Sequence, residues 1–260
     1  MSRHEPGAGT FAPRPGAAPL PRQVVAQAAM ESRLMLRNGE QLLLAVVIPV
    51  IVLVGGVAGS DRLGLDFSRP AVDVFTPGVL ALAVMSTAFT SLAIATGFER
   101  RYGVIKRLGA SPLPRAGLLA GKVLALLLVQ GLQLAVIVPV ALVLGWSPEI
   151  APLGALLALV LGTAAFASLG LLLAGALRAE ATLAAANLVY LLLLAGGAVV
   201  LPSSAYGAWG GVTPWLPSGA LGDAMRAALT DGRTDSAALL VLLVWAVAGT
   251  ALTTRTFRWE

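Results

Sequence analysis

Charged residues are absent from six long intervals of this chain, residues 41–60, 74–98, 123–148, 150–177, 181–222 and 236–254. Each is about as long as, or longer than, the roughly 20 residues a helix needs to cross the hydrocarbon core of a bilayer. A buried helix of a soluble domain rarely stays uncharged over that length, and six such intervals specify an integral membrane protein. The pattern predicts spans at about residues 41–59, 77–98, 118–146, 150–177, 181–201 and 236–252. The third and fourth are joined only by Ser147, Pro148 and Glu149, so they form a tight hairpin. Pro49 and Pro139 fall inside spans, and Gly55 and Gly59 have the spacing of a helix-packing motif.

The flanks read differently. Residues 1–21 are rich in Pro, Gly and Ala with no apolar run, which predicts a disordered tail without the apolar region of a signal peptide. From Arg22 to Asn38, Val24, Val25, Ala28, Leu34 and Met35 recur near helical spacing among Arg22, Glu31, Arg33 and Arg37. This predicts an amphipathic helix in the headgroup region that feeds the first span. Residues 202–235 hold Trp209, Trp215 and the breakers Pro202, Pro214, Pro217 and Gly219, with Leu221, Met225, Ala228 and Leu229 at helical spacing. Short helices that dip into the outer interface without crossing fit that mixture. The expected fold is an all-α integral membrane protein of six transmembrane helices, with the interfacial helix before them and the short outer helices between spans five and six.

Charge sets the orientation. Alternate loops carry fourteen Lys and Arg on one face against four on the other, giving net charges of +8 and −3. By the positive-inside rule the first face, which includes both termini, is cytoplasmic, and the expected location is the plasma (inner) membrane. The overall balance of +5 therefore expresses loop asymmetry and does not imply nucleic acid as a partner. Composition agrees: 57% of residues are hydrophobic, 12% are charged, and the mean hydropathy is +0.85.

Enzymatic constellations are missing from the sequence. It contains no Cys, its one His is His4 in the tail, and no span holds an Asp. The Gly121-Lys122 pair lacks the first glycine and the Ser/Thr of a phosphate loop, since Ala116 and Val123 stand there. A proton- or ion-coupled carrier usually places ionisable groups within the membrane, and the charge-free intervals leave none between the span ends. Their polar residues are mild. Gln130 and Gln133 share one helical face, as do Asn187 and Tyr190. They either line a substrate path or hold helices together.

The most specific segment is the cytoplasmic stretch of Glu99, Arg100, Arg101, Tyr102, Gly103, Val104, Ile105, Lys106, Arg107 and Leu108, which runs through Ser111-Pro112 to Arg115. After it, Gly121-Lys122 opens the third span. With Arg37-Asn38 and Pro49 before it, and Ser168-Leu169-Gly170, Asn187 and the breaker-rich outer segment after it, the chain resembles the permease subunits of ABC-2 type exporters. The resemblance implies that residues 22–260 form one ABC-2 type transmembrane domain that works with a second permease copy, as a homodimer or beside a sister permease. ATP and Mg would bind in a separate ABC ATP-binding subunit, leaving this chain non-enzymatic and without a cofactor. Glu99, Arg100, Arg101, Val104, Ile105, Lys106, Arg107 and Leu108 would form the segment that docks on that ATPase. The function so implied is export of a hydrophobic or amphipathic substrate, such as a drug, lipid or secondary metabolite. The competing reading is a non-transporting scaffold subunit that recruits a cytoplasmic partner through the same basic segment.

The charge asymmetry is testable, because a chain without Cys gives no labelling background. Single cysteines at Ser111 and Thr254 are expected to resist an impermeant thiol reagent in intact cells, and those at Ser204 and Asp231 to react. Labelling of the Thr254 position from outside reverses the topology.

Overall fold

A computed structural model describes residues 18–60, 62, 67–109 and 113–256, with backbone alone at 40–44, 105, 109 and 115. Most of the expected tail, and Ser111, lie outside the described residues. All the regular structure described is helical. The helices are α1 (Leu20–Arg37), α2 (Gly39–Gly59), α3 (Ala71–Met85), α4 (Leu92–Arg101), α5 (Val104–Gly109), α6 (Arg115–Val143), α7 (Pro152–Ala176), α8 (Ala179–Gly196), α9 (Pro217–Leu229) and α10 (Ser236–Thr256). A π-helical turn, Ser86–Ser91, joins α3 to α4 without a break, and two 3₁₀ turns, Ser203–Gly211 and Thr213–Trp215, precede α9.

Among the described residues, five helices are long and apolar enough to cross a membrane: the continuous rod Ala71–Arg101, Ala116–Val143, Pro152–Ala176, Ala179–Gly196 and Ser236–Thr256. The apolar stretch described in α2, Ala45–Gly59, is shorter. The Ala71–Arg101 rod is the centre of the molecule and is mostly buried, whereas α8 and α10 turn most of their surface outward. Residues such as Leu82, Met85, Leu221 and Phe166 fill the core between the rod, α7 and α9.

Two sequence expectations change. The fifth span was expected to reach Leu201, but α8 ends at Gly196 and residues 197–201 run as a non-helical segment in which Ala198, Val199 and Val200 are buried. Ala198 has φ +53° there, a left-handed conformation uncommon for a residue with a Cβ. The Gly55 motif is also not the packing contact. A Cβ on Gly55 would meet nothing within 4 Å, whereas one on Gly56 would lie 2.4 Å from the Phe75 ring of α3. The residue that lets α2 approach the central rod is one position along.

Interrupted backbone must find hydrogen-bond partners in an apolar interior. Pro49 cannot donate to the carbonyl of Ala45, and the Gln133 amide of α6 takes that carbonyl at 2.7 Å. Pro77 likewise releases the carbonyl of Asp73, to which the Thr230 hydroxyl donates at 3.1 Å. The non-helical segment after α8 is satisfied in the same way. Ser218 donates to Gly197 O at 2.8 Å, Trp209 donates to Gly196 O at 3.0 Å, and Arg226 reaches the carbonyls of Ala198, Val199 and Val200 at 3.0–3.3 Å. Burial pulls the Arg226 guanidinium below its ordinary pKa, and Asp223, 2.9 Å away, works against that shift. Helix α9 is thus a buried plug of 13 residues packed on α3, α7 and α10, too short to cross.

Glycines bring backbone against backbone around this segment. A Cβ on Gly78 of α3 would sit 2.2 Å from the Val200 carbonyl oxygen, and one on Gly222 of α9 2.7 Å from that of Val199. Gly78→Ala is therefore expected to cost about 1–3 kcal/mol through forced backbone movement, whereas Gly55→Ala leaves stability unchanged. Thermal unfolding of both variants in detergent checks the contrast.

Candidate functional site

Three elements that are far apart in sequence meet at one buried charge. Lys122, in the second turn of α6, places its Nζ 2.8 Å from Glu31 Oε1 of α1 and 2.8 Å from both carboxylate oxygens of Glu99 at the end of the central rod. The Gln27 amide also donates to Glu31 Oε1 at 2.8 Å. Side-chain exposures of 6% for Lys122, 10% for Glu31 and 18% for Glu99 remove the cluster from bulk water. A pair so placed gains little net stability from its attraction, because desolvation offsets it, but loss of one partner leaves an uncompensated buried charge.

The local sequence explains the approach. Gly117 and Gly121 lie one turn apart on α6, facing α1. Added Cβ atoms there would fall 3.2 Å from Leu20 Cδ1 and 2.6 Å from Gln27 Cγ respectively. Gly121-Lys122 thus supplies a seat and a counter-charge for α1. Helix α1 sits on α6 by its polar stripe, Gln27, Ala28, Glu31 and Ser32, and turns Val25, Met30 and Leu34 outward. The sequence pattern had suggested no ionisable group within a span; Lys122 is that group, buried near the start of α6.

The proposed docking segment divides into two parts. Its first three charged residues turn inward: Glu99 binds Lys122, Arg100 donates to the carbonyl oxygens of Ala174 and Leu177, and Arg101 pairs with Glu180. The chain then bends at Gly103, φ +67°, into the short helix α5. On α5, Lys106 and Arg107 are exposed, Val104 and Leu108 are half-buried, and Ile105 is described by backbone alone.

Between α1, the central rod and α8 lies a cleft of about 540 Å³. Glu31 and Glu99 line it near α5, Leu34, Ile94 and Leu183 form apolar walls, and Ser86, Thr90 and Asn187 line its inner part. The hydroxyls come from the π-helical turn, a distortion that often marks functional sites in helices. Gly170 of α7 permits that turn, since a Cβ there would be 2.8 Å from Phe89 O. Of the four polar span residues singled out in the sequence, Asn187 lines the cleft and Tyr190 bonds Ser86 at its edge. Gln130 and Gln133 are fully buried elsewhere. Gln130 accepts from Thr163 of α7 at 3.0 Å, and Gln133 accepts from Thr87 at 3.0 Å while donating to Ala45 O. They join helices, and neither lines this cleft. No group of three or more His, Cys, Asp or Glu suited to a metal occurs among the described residues.

The sequence profile of the ABC-2 family transporter proteins matches residues 66–255. The chain belongs to the ABC-2 transporter family. No match to a curated protein was found. As an ABC-2 permease it is a membrane transport subunit that associates with an ATP-binding subunit.

The buried charge cluster of this permease yields an asymmetric expectation. Lys122→Ala leaves two carboxylates facing each other out of water and should cost about 3–5 kcal/mol. Replacing the whole cluster (Glu31→Leu, Lys122→Met, Glu99→Leu) should cost far less. Chemical unfolding of both proteins in mixed micelles distinguishes the two.

Proposed function

We propose that this ABC-2 permease is the membrane half of an ATP-driven exporter, with six crossings, both termini in the cytoplasm, and a hydrophobic or amphipathic substrate. The sixth crossing in this reading is α2. The observation that carries the proposal is the alignment of the cleft with α5. The same cleft is lined by Val104 of the docking segment at one end and by Ser86 and Asn187 at the other. A movement of α5 driven by an ATPase beneath it would change the cleft directly. Apolar walls with a few hydroxyl and amide groups suit an amphipathic cargo.

The inward bonding of Glu99, Arg100 and Arg101 supports a division of labour. These three tie the segment to the bundle, while Val104, Lys106, Arg107 and Leu108, with Ile105 beside them, meet the ATPase. A second permease copy would face its partner across the outward surfaces of the bundle, and ATP with Mg would be held by the partner ATPase.

Exposed ion pairs are worth about 0–1 kcal/mol, whereas buried interface anchors commonly cost 2 kcal/mol or more when truncated. Leu108→Ala, Ile105→Ala and the helix-breaking Val104→Pro are therefore expected to reduce cargo efflux and ATPase co-purification far more than Lys106→Ala, at matched expression. Full efflux and full ATPase association in all three would remove α5 from the coupling path. Lost association with unchanged efflux would point to a scaffold.

A further inference from the structure

A second recess lies on the opposite side of the rod's end from the cleft. It encloses about 350 Å³ and is lined by Gly97, Arg100, Arg101, Leu177, Arg178, Ala179 and Glu180. Three guanidinium groups thus surround it against one carboxylate. Arg100 is held by backbone carbonyls and Arg101 by Glu180. Arg178 is exposed, and its guanidinium meets no hydrogen-bond or ion-pair partner among the described residues.

We propose that this recess binds the phosphodiester headgroup of an anionic membrane lipid. Three features of the geometry support it. The charge balance is +2, so an anion is the complementary ligand. The recess opens at the N-terminus of the 18-residue helix α8, where unpaired backbone N–H groups and the helix dipole add to the attraction. Finally, the wall is not polar all round. Leu177 is outward-facing at the rim, and α8 leads away from it with Leu188 and Leu191 exposed. A phosphate seated among the arginines would leave its acyl chains on that apolar surface. Basic pockets between membrane helices on the positively charged face commonly take anionic headgroups in this way. A free phosphate has no use for the apolar strip, and an acidic protein partner would find hydrocarbon where it needs water.

The test is lipid binding to the detergent-purified full chain, titrated by native mass spectrometry with phosphatidylglycerol, phosphatidylcholine and inorganic phosphate. Phosphatidylglycerol should bind more tightly than phosphatidylcholine, and phosphate alone should not compete with it. One arginine near an anionic headgroup is worth about a fivefold change in affinity. Arg178→Gln should weaken phosphatidylglycerol by about that factor, and Arg101→Gln added to it should weaken it further. The phosphatidylcholine affinity and the melting temperature in phosphatidylcholine should not move for Arg178→Gln, whose side chain bonds no other described residue. Unchanged phosphatidylglycerol affinity in the double variant overturns the site. Phosphate binding that depends on these arginines while lipid binding does not would reassign it to a soluble anion. Loss of ATPase co-purification with lipid affinity intact would reassign it to an acidic surface of that partner.

Discussion

The structure depends on one requirement: a backbone carbonyl released inside the apolar bundle is costly until a donor from another element meets it. Pro49 and Pro77 each release one, and α8 stops short and releases several more. The donors are Gln133, Thr230, Ser218, Trp209 and Arg226, each from a different part of the chain than the group it serves. These bonds therefore fix tertiary neighbours as well as satisfying backbone. Gln133 alone ties α6 to α2 and, through Thr87, to the π-helical turn. Polar residues in this bundle act mainly as substitutes for missing helix hydrogen bonds.

The same requirement accounts for the placing of the glycines. A carbonyl can be reached by a short side chain only if the two backbones lie close, and Gly78, Gly170 and Gly222 are where they do. On the basic face, Gly117 and Gly121 bring α1 close enough for Lys122 to reach Glu31. The result joins α1, the central rod and α6 next to the bend at Gly103, where the buried rod gives way to the short helix α5.

Much of this was legible in the sequence. The long charge-free intervals located α3–α4, α6, α7, α8 and α10 to within a few residues, because a bilayer imposes length and polarity directly on composition. The charged break after the central rod and the short helices after α8 were legible for the same reason, as departures from that rule; the tight hairpin expected after α6 was not, since residues 144–151 join α6 to α7 and the two helices pack mainly on other elements. Pairing between distant residues was not. Nothing local marks Glu31 and Glu99 as partners of Lys122, since a carboxylate near a span end reads equally well as a solvated loop residue. Gly121-Lys122 did stand out, but its meaning lay in α1, 91 residues before Lys122. The choice of Gly56 over Gly55, and the end of α8 at Gly196, likewise depend on which face of a helix meets a neighbour, which a uniformly apolar span does not encode.

That separation in sequence has a consequence for how the protein is made. Ribosomes add roughly 5–20 residues per second, so Glu31 exists for roughly 5–20 s before the lysine that neutralises it. Until then its carboxylate stays hydrated and α1 rests at the water boundary, its outward leucines already suited to lipid. The join among α1, the rod and α6 closes only after three hydrophobic segments have left the translocon. The first helix of the chain therefore reaches its final seat only after α2, the rod and the start of α6 have been made.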